Sequence, residues 1–378
     1  MQKLYETRPP AKRGFLTGIW DNHIGKTEAQ SLARELLGLC ATLGIEVAGQ
    51  ELVHVRERQP KFGMGSGKAQ ELAEKAASAN ADLLIFNHEL SPSQQRNWEA
   101  LANIPVVDRQ ELIIKIFADR AATREAELQV KLAELVYSLP RLSHKYIDLS
   151  RQRGGRYGTK GAGETLLETD RREVEQKIHK LEKELETVQK QRQVQRKQRE
   201  RQGMPVCAIV GYTNAGKSSL LNALTGAGVL VEDKLFATLD ATTRRFEPEP
   251  GKTVLLVDTV GFIRRLPHSL VKAFRSTLEE AALANLLIHV LDASDMDIEH
   301  CYQTTNVVLG ELGAQNLPVI TVLNKIDRMD AVQIENVLSL FPGSIAISAK
   351  TGTGLDQLKQ QLAHSAALGY STGNGSAY

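Results

Sequence analysis

From residue 14 to 120, short apolar runs alternate with helical patterns along the chain: FLTGI precedes Thr27 to Leu43, and IEVAGQELV precedes Lys68 to Ala77. DLLIF then precedes Ser93 to Leu101, and PVVD precedes Gln110 to Ala118. Strand-length runs separated by helix-length amphipathic segments predict repeated βα units around a parallel sheet, because parallel neighbours need a crossover. From Ala121 the period becomes purely helical. Leu128, Leu132, Leu135 and Leu139 step by four, three and four until Pro140, which is expected to stop the helix. The same spacing returns at Val174, Ile178, Leu181, Leu185 and Val188, so the two helices pair most simply as an antiparallel hairpin. Between them lies RQRGGRYGTKGAGE, where glycines alternate with Arg151, Arg153, Arg156 and Lys160. That segment is too flexible and too basic for a core. After Val188 the apolar seam is lost, and six basic residues face the single acid Glu200. Gly203 and Pro205 mark a boundary, beyond which a second αβ pattern begins.

These patterns divide the chain into an α/β domain over 1–120, a helical hairpin over 121–202 with a basic Gly-rich loop at 151–163, a second α/β domain over 203–366, and a tail over 367–378. A length of 378 residues agrees with more than one core. No apolar run approaches the roughly 18 residues of a membrane span. The basic N-terminus leads into no apolar signal core, which points to the cytoplasm. Cys40, Cys207 and Cys301 are few and lack metal-ligand spacing, as expected in a reducing compartment. A net charge of only +2 leaves nucleic-acid affinity to local patches.

The second α/β domain carries the chemistry. MPVCAIV, a buried-strand pattern, runs into Gly211-Tyr212-Thr213-Asn214-Ala215-Gly216-Lys217-Ser218 and then the helical SLLNALTG. This is the P-loop spacing: the glycines let backbone N–H groups surround a β-phosphate, and the helix N-terminus supports its charge. Lys217 would reach the β- and γ-oxygens, and Ser218 would offer a hydroxyl to Mg²⁺. A second apolar strand ends in Asp258-Thr259-Val260-Gly261, where Asp258 can hold Mg²⁺ through water and the Gly261 amide can meet the γ-phosphate. A third ends in Asn324-Lys325-Ile326-Asp327, whose terminal carboxylate can accept from the N1–H and 2-amino groups of guanine, donors that adenine lacks. A fourth ends in Ser348-Ala349-Lys350, with a backbone amide for the guanine O6.

Between the P-loop and Asp258, a threonine should close on Mg²⁺ when the γ-phosphate is present. Thr238 is the choice, with Thr242 and Thr243 as rivals, and Phe236, Ala237, Leu239 and Asp240 are counted beside it as nucleotide-binding. After Gly261, where many GTPases carry a water-orienting glutamine, stands Phe262. A phenyl ring cannot position water by a strong hydrogen bond, so hydrolysis with Lys217 and Gly261 as the catalytic groups is expected to be slow without a partner. Arg244, Arg245, Arg264 and Arg265 are nearby cations with no assigned role.

The strings GYTNAGKSSLLNALT, FATLD, DTVGFIRRLP, NKID and HSLVKAFRSTLEEA resemble the HflX family of translational GTPases. FGMGSGKAQEL, LLIFNHELSPSQQRNWE, VVDRQELIIKIFADRAATREAELQVKLAEL, PRL and GAGETLLETDRR extend the resemblance outside the G domain. It implies a fold in which a P-loop G domain over 203–366 follows a βα-repeat domain and an antiparallel helical hairpin. It also implies a monomeric GTPase that converts GTP to GDP with Mg²⁺. The implied partner is the large ribosomal subunit with its ribosomal RNA, and the implied work is splitting or rescue of stalled ribosomes under stress. Hydrolysis would be stimulated by the ribosome despite a hydrophobic residue at position 262, and the loop from Arg151 to Lys160 would approach ribosomal RNA. Two departures stand out: that loop is less glycine-dense than is common in the family, and where some members carry a further C-terminal domain the last expected helix gives way to GYSTGNGSAY, read as a short flexible tail. A factor acting on free RNA, or a signalling switch recruiting a protein partner, are the competing readings.

Phe62-Gly63-Met64-Gly65-Ser66-Gly67-Lys68 imitates a second phosphate loop but lacks its first glycine and its metal-binding hydroxyl. A structural turn opening a helix is the favoured reading, against a phosphate or RNA contact.

Overall fold

A computed structural model describes residues 13–142, 160–201, 204–226, 228, 235–265 and 280–369. The first compact unit comprises the described residues up to Asp119 together with those of Ala133–His179, and the second comprises Arg120–Leu132 with the described residues from Lys180 onward.

In the first unit the apolar runs form β1 (Arg13–Trp20), β2 (Glu46–His54), β3 (Leu83–Phe86) and β4 (Val106–Asp108), an all-parallel sheet in the order β2-β1-β3-β4. The crossovers are α1 (Lys26–Thr42), α2 (Ser66–Ser78) and α3 (Pro92–Ala102), and α4 (Arg109–Arg120) follows β4 directly. Ser91 and Gln94 form a capping box that starts α3, which satisfies two amides that the helix leaves unpaired. Phe15, Ile19, Leu72, Phe86 and Trp98 meet in one buried cluster.

The glycine-rich segment at 62–68 belongs to that core. Phe62 and Met64 are buried, and Phe62 O accepts from the Trp98 indole at 3.1 Å. Gly65 is the N-cap of α2, and the Lys68 ammonium is taken by Glu71 and Glu51 at 2.9 and 3.2 Å. The structural turn accounts for these residues.

Two helices carry the heptad pattern, α5 (Arg124–Leu142) and α6 (Lys160–Arg201). Pro140 does not stop α5, which runs two residues past it. A proline in the last turn forfeits one backbone hydrogen bond, and Arg141 compensates by tying the helix end down, donating to the Tyr137 and Leu90 carbonyls at 2.9 Å each. α6 already begins at Lys160, so the end of the predicted loop is helical, while residues 151–159 lie outside the described residues. So do the N-terminal basic segment, most of HSLVKAFRSTLEEA and residues 370–378.

In the second unit a six-stranded sheet has the order β10-β9-β8-β5-β7-β6, parallel except for β6 against β7. Its strands are β5 (Val206–Gly211), β6 (Thr242–Glu249), β7 (Lys252–Asp258), β8 (Leu286–Asp292), β9 (Val319–Asn324) and β10 (Ile345–Ala346). The helices are α7 (Lys217–Thr225), α8 (Ile298–Glu311), α9 (Ala331–Leu340) and α10 (Leu355–Gly369). Ile209, Leu220, Leu256, Ile288, Val322 and Leu358 pack between the sheet and the helices on one face. The C-terminal ends of β5, β7, β9 and β10 then deliver all four sequence motifs to one edge of the sheet, where ligands of open α/β sheets bind.

Candidate nucleotide site

A cleft of about 600 Å³ opens at that edge. Its lining includes Thr213, Asn214, Gly216, Lys217 and Ser218 from the loop after β5, and Phe236, Ala237 and Thr238 from the segment before β6. Gly261, Asn324, Lys325, Asp327, Ala349 and Lys350 are the other predicted residues that line it. Ser219, Asn222, Ala223 and Arg328 line it as well and were not anticipated. Helical spacing carried the signal for three of them, since Asn222 and Ala223 lie one turn beyond Ser218 and Ser219 on α7.

The other predicted residues shape the cleft from behind. Gly211 ends β5, and the side chains of Tyr212, Ala215 and Val260 are buried. The Thr259 hydroxyl is fully buried and donates to the Ile209 carbonyl at 2.8 Å. Ile326 packs in an apolar cluster with Leu291 and Leu323, and Ser348 is buried against Asp327. Leu239 is buried. Asp240 points away from the cleft, because its carboxylate accepts from the Ala122 and Thr123 amides at 3.2 Å each.

The P-loop shows why its residue types are needed. Gly216 has φ +93°, and a Cβ there would lie 2.2 Å from Asn324 Nδ2. Asn324 Nδ2 donates to Ala215 O at 2.9 Å while its Oδ1 accepts from the Ala349 amide at 3.0 Å. One buried side chain therefore joins the P-loop to the last two motifs. The Lys217 ammonium is almost fully buried and donates to Tyr212 O at 2.9 Å. Burial pulls its pKa down to about 8, with the Asp258 carboxylate opposing that shift.

Three oxygens converge beside Lys217. Ser218 Oγ lies 2.7 Å from Thr238 Oγ1, and Asp258 Oδ2 accepts from the two hydroxyls at 2.6 and 3.2 Å. Asp258 is fully buried, which raises its pKa against the lowering effect of Lys217 and the hydroxyls, and its Oδ1 has no hydrogen-bond partner among the described residues. A buried, orphaned carboxylate oxygen beside two hydroxyls is a hard-oxygen donor set that suits Mg²⁺. Thr242 and Thr243 are held in β6 opposite Asp258 and Val257, so among the rivals Thr238 alone joins this cluster.

Gly261 fits tightly: a Cβ would lie 2.8 Å from both Lys217 Nζ and Thr213 Cα. The next residue forms an isolated parallel β-bridge with Tyr212 of the P-loop. The Phe262 amide donates to Gly211 O at 3.1 Å, the Thr213 amide donates to Phe262 O at 2.8 Å, and the Arg264 amide donates to the Tyr212 hydroxyl at 2.8 Å. The Phe262 ring is 1% exposed, pointing into the core and not into the cleft. Arg264 pairs with Asp297 at 3.8 Å.

At the far end of the cleft, Asp327 Oδ1 accepts from Ser348 Oγ at 2.6 Å, and this bond holds the carboxyl below its usual pKa. Lys325 Nζ is fixed by Asp292 at 2.7 Å, which sets its stem along the cleft wall.

Known proteins match along most of the chain. A family model described as a 50S ribosome-binding GTPase matches residues 206–325, one described as the GTP-binding GTPase N-terminal region matches 30–118, and one described as the GTP-binding GTPase middle region matches 120–199. A GTPase HflX of Akkermansia muciniphila is 47% identical over 366 residues, covering 94% of this chain and 84% of that protein. The Escherichia coli GTPase HflX is 44% identical over 332 residues, covering 87% of this chain and 78% of that protein. A crystal structure of a GTP-binding protein from Sulfolobus solfataricus with GDP aligns at 25% identity and a TM-score of 0.46, over 94% of this chain and 99% of that one.

Proposed function

The chain belongs to the HflX family of GTPases and hydrolyses GTP, and we propose that it does so on the large ribosomal subunit in order to split or rescue stalled ribosomes, especially under stress. The observation that carries this reading is the place of Phe262. The residue after Gly261 is turned into the core and pinned on both sides to the P-loop, so no side chain from that position reaches an attacking water. Orientation of the water must then come from a partner or from rearrangement that a partner induces. The match of residues 206–325 to a model described as a 50S ribosome-binding GTPase supports the ribosome as that partner.

The residues take the following roles. Asp327 accepts from the guanine base, Asn324 holds the P-loop against the base-binding loops, and a backbone amide of the Ser348–Lys350 segment meets the base edge. The P-loop amides from Asn214 to Lys217 and the Lys217 ammonium bind the phosphates. Ser218 and Thr238 would ligate Mg²⁺, with Asp258 behind them through water. The ion, when bound, neutralises charge on the β- and γ-phosphates. Gly261 approaches through its amide, which only a residue without a side chain can bring so near Lys217. No helix among the described residues is long and apolar enough to cross a membrane.

The deciding measurement is GTP turnover of the full chain alone, with intact large subunits, and with naked ribosomal RNA. A large rise with intact subunits alone is expected, and equal stimulation by RNA alone would replace the ribosome with a free-RNA reading.

A further inference from the structure

The segment from Leu235 to Ala241 is fastened at two points only two residues apart. At the first, Thr238 Oγ1 sits 2.7 Å from Ser218 Oγ and 3.2 Å from Asp258 Oδ2. At the second, Asp240 reaches a helix that is no part of the G-domain sheet. Its Oδ2 accepts from the Ala122 and Thr123 amides at 3.2 Å each, and its Oδ1 accepts from the Thr123 hydroxyl. Between the two, Leu239 is 3% exposed.

Thr123 is itself the cap of α5. Its hydroxyl oxygen accepts from the Ala126 amide at 3.2 Å, and its carbonyl accepts from the Glu127 amide at 2.9 Å. The Thr123 hydroxyl therefore donates to Asp240 while accepting from the first turn of the helix. A carboxylate at a helix N-terminus is favoured twice, by the unpaired N–H groups and by the positive end of the helix dipole. Hydrogen bonds to an ionised acceptor are also the stronger kind. Residues 238 and 240 of an extended chain are no more than about 7 Å apart at Cα, so neither anchor can shift far without the other.

We propose that Asp240 is a positioning residue for the GTPase reaction: by gripping the N-terminus of α5 through Thr123, it holds Thr238 at the Ser218–Asp258 cluster. Linkage makes the effect reciprocal. Whatever closes Thr238 on that cluster also tightens the cap of α5, so the start of this helix reports the nucleotide state. The inference rests on the reading above that Thr238 serves the triphosphate and its metal ion.

The test uses the full chain with Mg²⁺ and fluorescent forms of GDP and of a non-hydrolysable GTP analogue, together with amide hydrogen exchange over residues 122–127. Asp240→Ala is expected to weaken analogue binding about tenfold, the loss of one to two hydrogen bonds, while GDP affinity stays within about twofold. Thr123→Val should reproduce the effect, and the double variant should be no worse than either single one. In the unsubstituted protein the amides of 122–127 should exchange more slowly with the analogue than with GDP, and Asp240→Ala should abolish that difference. Equal weakening of both nucleotides, no weakening of the analogue, or helix exchange that ignores the nucleotide in the unsubstituted protein would each overturn the proposal. Thr238→Ala separates the two layers. If it leaves analogue affinity intact, the assignment of Thr238 itself fails; if it weakens the analogue while Asp240→Ala does not, only the anchoring role fails.

Discussion

Ser218 Oγ and Thr238 Oγ1 stand 2.7 Å apart although one opens the P-loop helix and the other belongs to the segment before β6. Sequence reading chose Thr238 with Thr242 and Thr243 as rivals, and in the structure those two are paired into β6. Thr238→Ala is expected to weaken a GTP analogue about 5- to 30-fold in the presence of Mg²⁺, a loss of one to two kcal/mol, and to spare GDP. Thr242→Ala and Thr243→Ala should change neither affinity, as titration with fluorescent nucleotides would record. A larger loss from Thr242→Ala than from Thr238→Ala would reverse the assignment.

Base selection is expected to reside in Asp327. Its carboxylate is held ionised by the Ser348 hydroxyl at 2.6 Å, so it meets guanine as a charged acceptor of two bonds. Asp327→Asn replaces one acceptor lone-pair set by a donor and should lower the preference for GTP over ATP by about 100-fold, near 3 kcal/mol. Competition binding with both nucleotides measures the ratio, and an unchanged ratio would place recognition elsewhere in the cleft.

The four strands of the first unit and the four nucleotide motifs with the strands that lead into them were legible because each depends on local pattern, whereas β6 and β8, which carry no such motif, were not read. Helix α3, expected over Ser93 to Leu101, was legible to within a residue at each end. What failed was whatever depends on distant partners. Asp240 reads as a neighbour of the nucleotide because it follows Thr238, yet its carboxylate is claimed by amides more than a hundred residues earlier in the chain. Pro140 reads as a stop, yet Arg141 secures the helix beyond it through contacts with Leu90 and Gln95. The core-facing turn of Phe262 was likewise invisible, since nothing in DTVGF says which way the ring points.

Phe262 is expected to matter for stability more than for chemistry. Phe262→Ala would empty a buried aromatic site and cost about 3–5 kcal/mol of G-domain stability, seen as a lower midpoint in denaturant. Phe262→Gln should not create a fast GTPase, because its backbone is pinned by Gly211 and Thr213 with the side chain directed into the core. Intrinsic turnover is expected to change by less than about threefold, under 1 kcal/mol of barrier. A rise of a hundredfold would mean that the segment swings out and delivers the side chain to the cleft.

Acid sensitivity should trace to His289. The ring is fully buried in the middle of β8, stacked on Tyr302 at 5.2 Å between centroids, and neither ring nitrogen has a hydrogen-bond partner among the described residues. Burial is the main cause that drives its pKa down to about 3 from 6.5, and the Lys217 ammonium adds to the shift. The folded chain therefore keeps the imidazole neutral where the unfolded chain protonates it. The contribution to stability is full above pH 6.5 and is lost as the pH falls from there toward 3, at about 1.4 kcal/mol per pH unit for one proton. Replacing the ring with an apolar one of similar size, His289→Phe, should flatten that part of the pH profile by about one proton's slope. Because Asp258 titrates with the opposite sign, its folded-state pKa being raised, the quantity to compare is the difference between the variant and the unsubstituted chain, from urea denaturation at several values between pH 4 and 7.5. Parallel profiles for the two proteins would show that His289 is charged, or already paired, in the folded state.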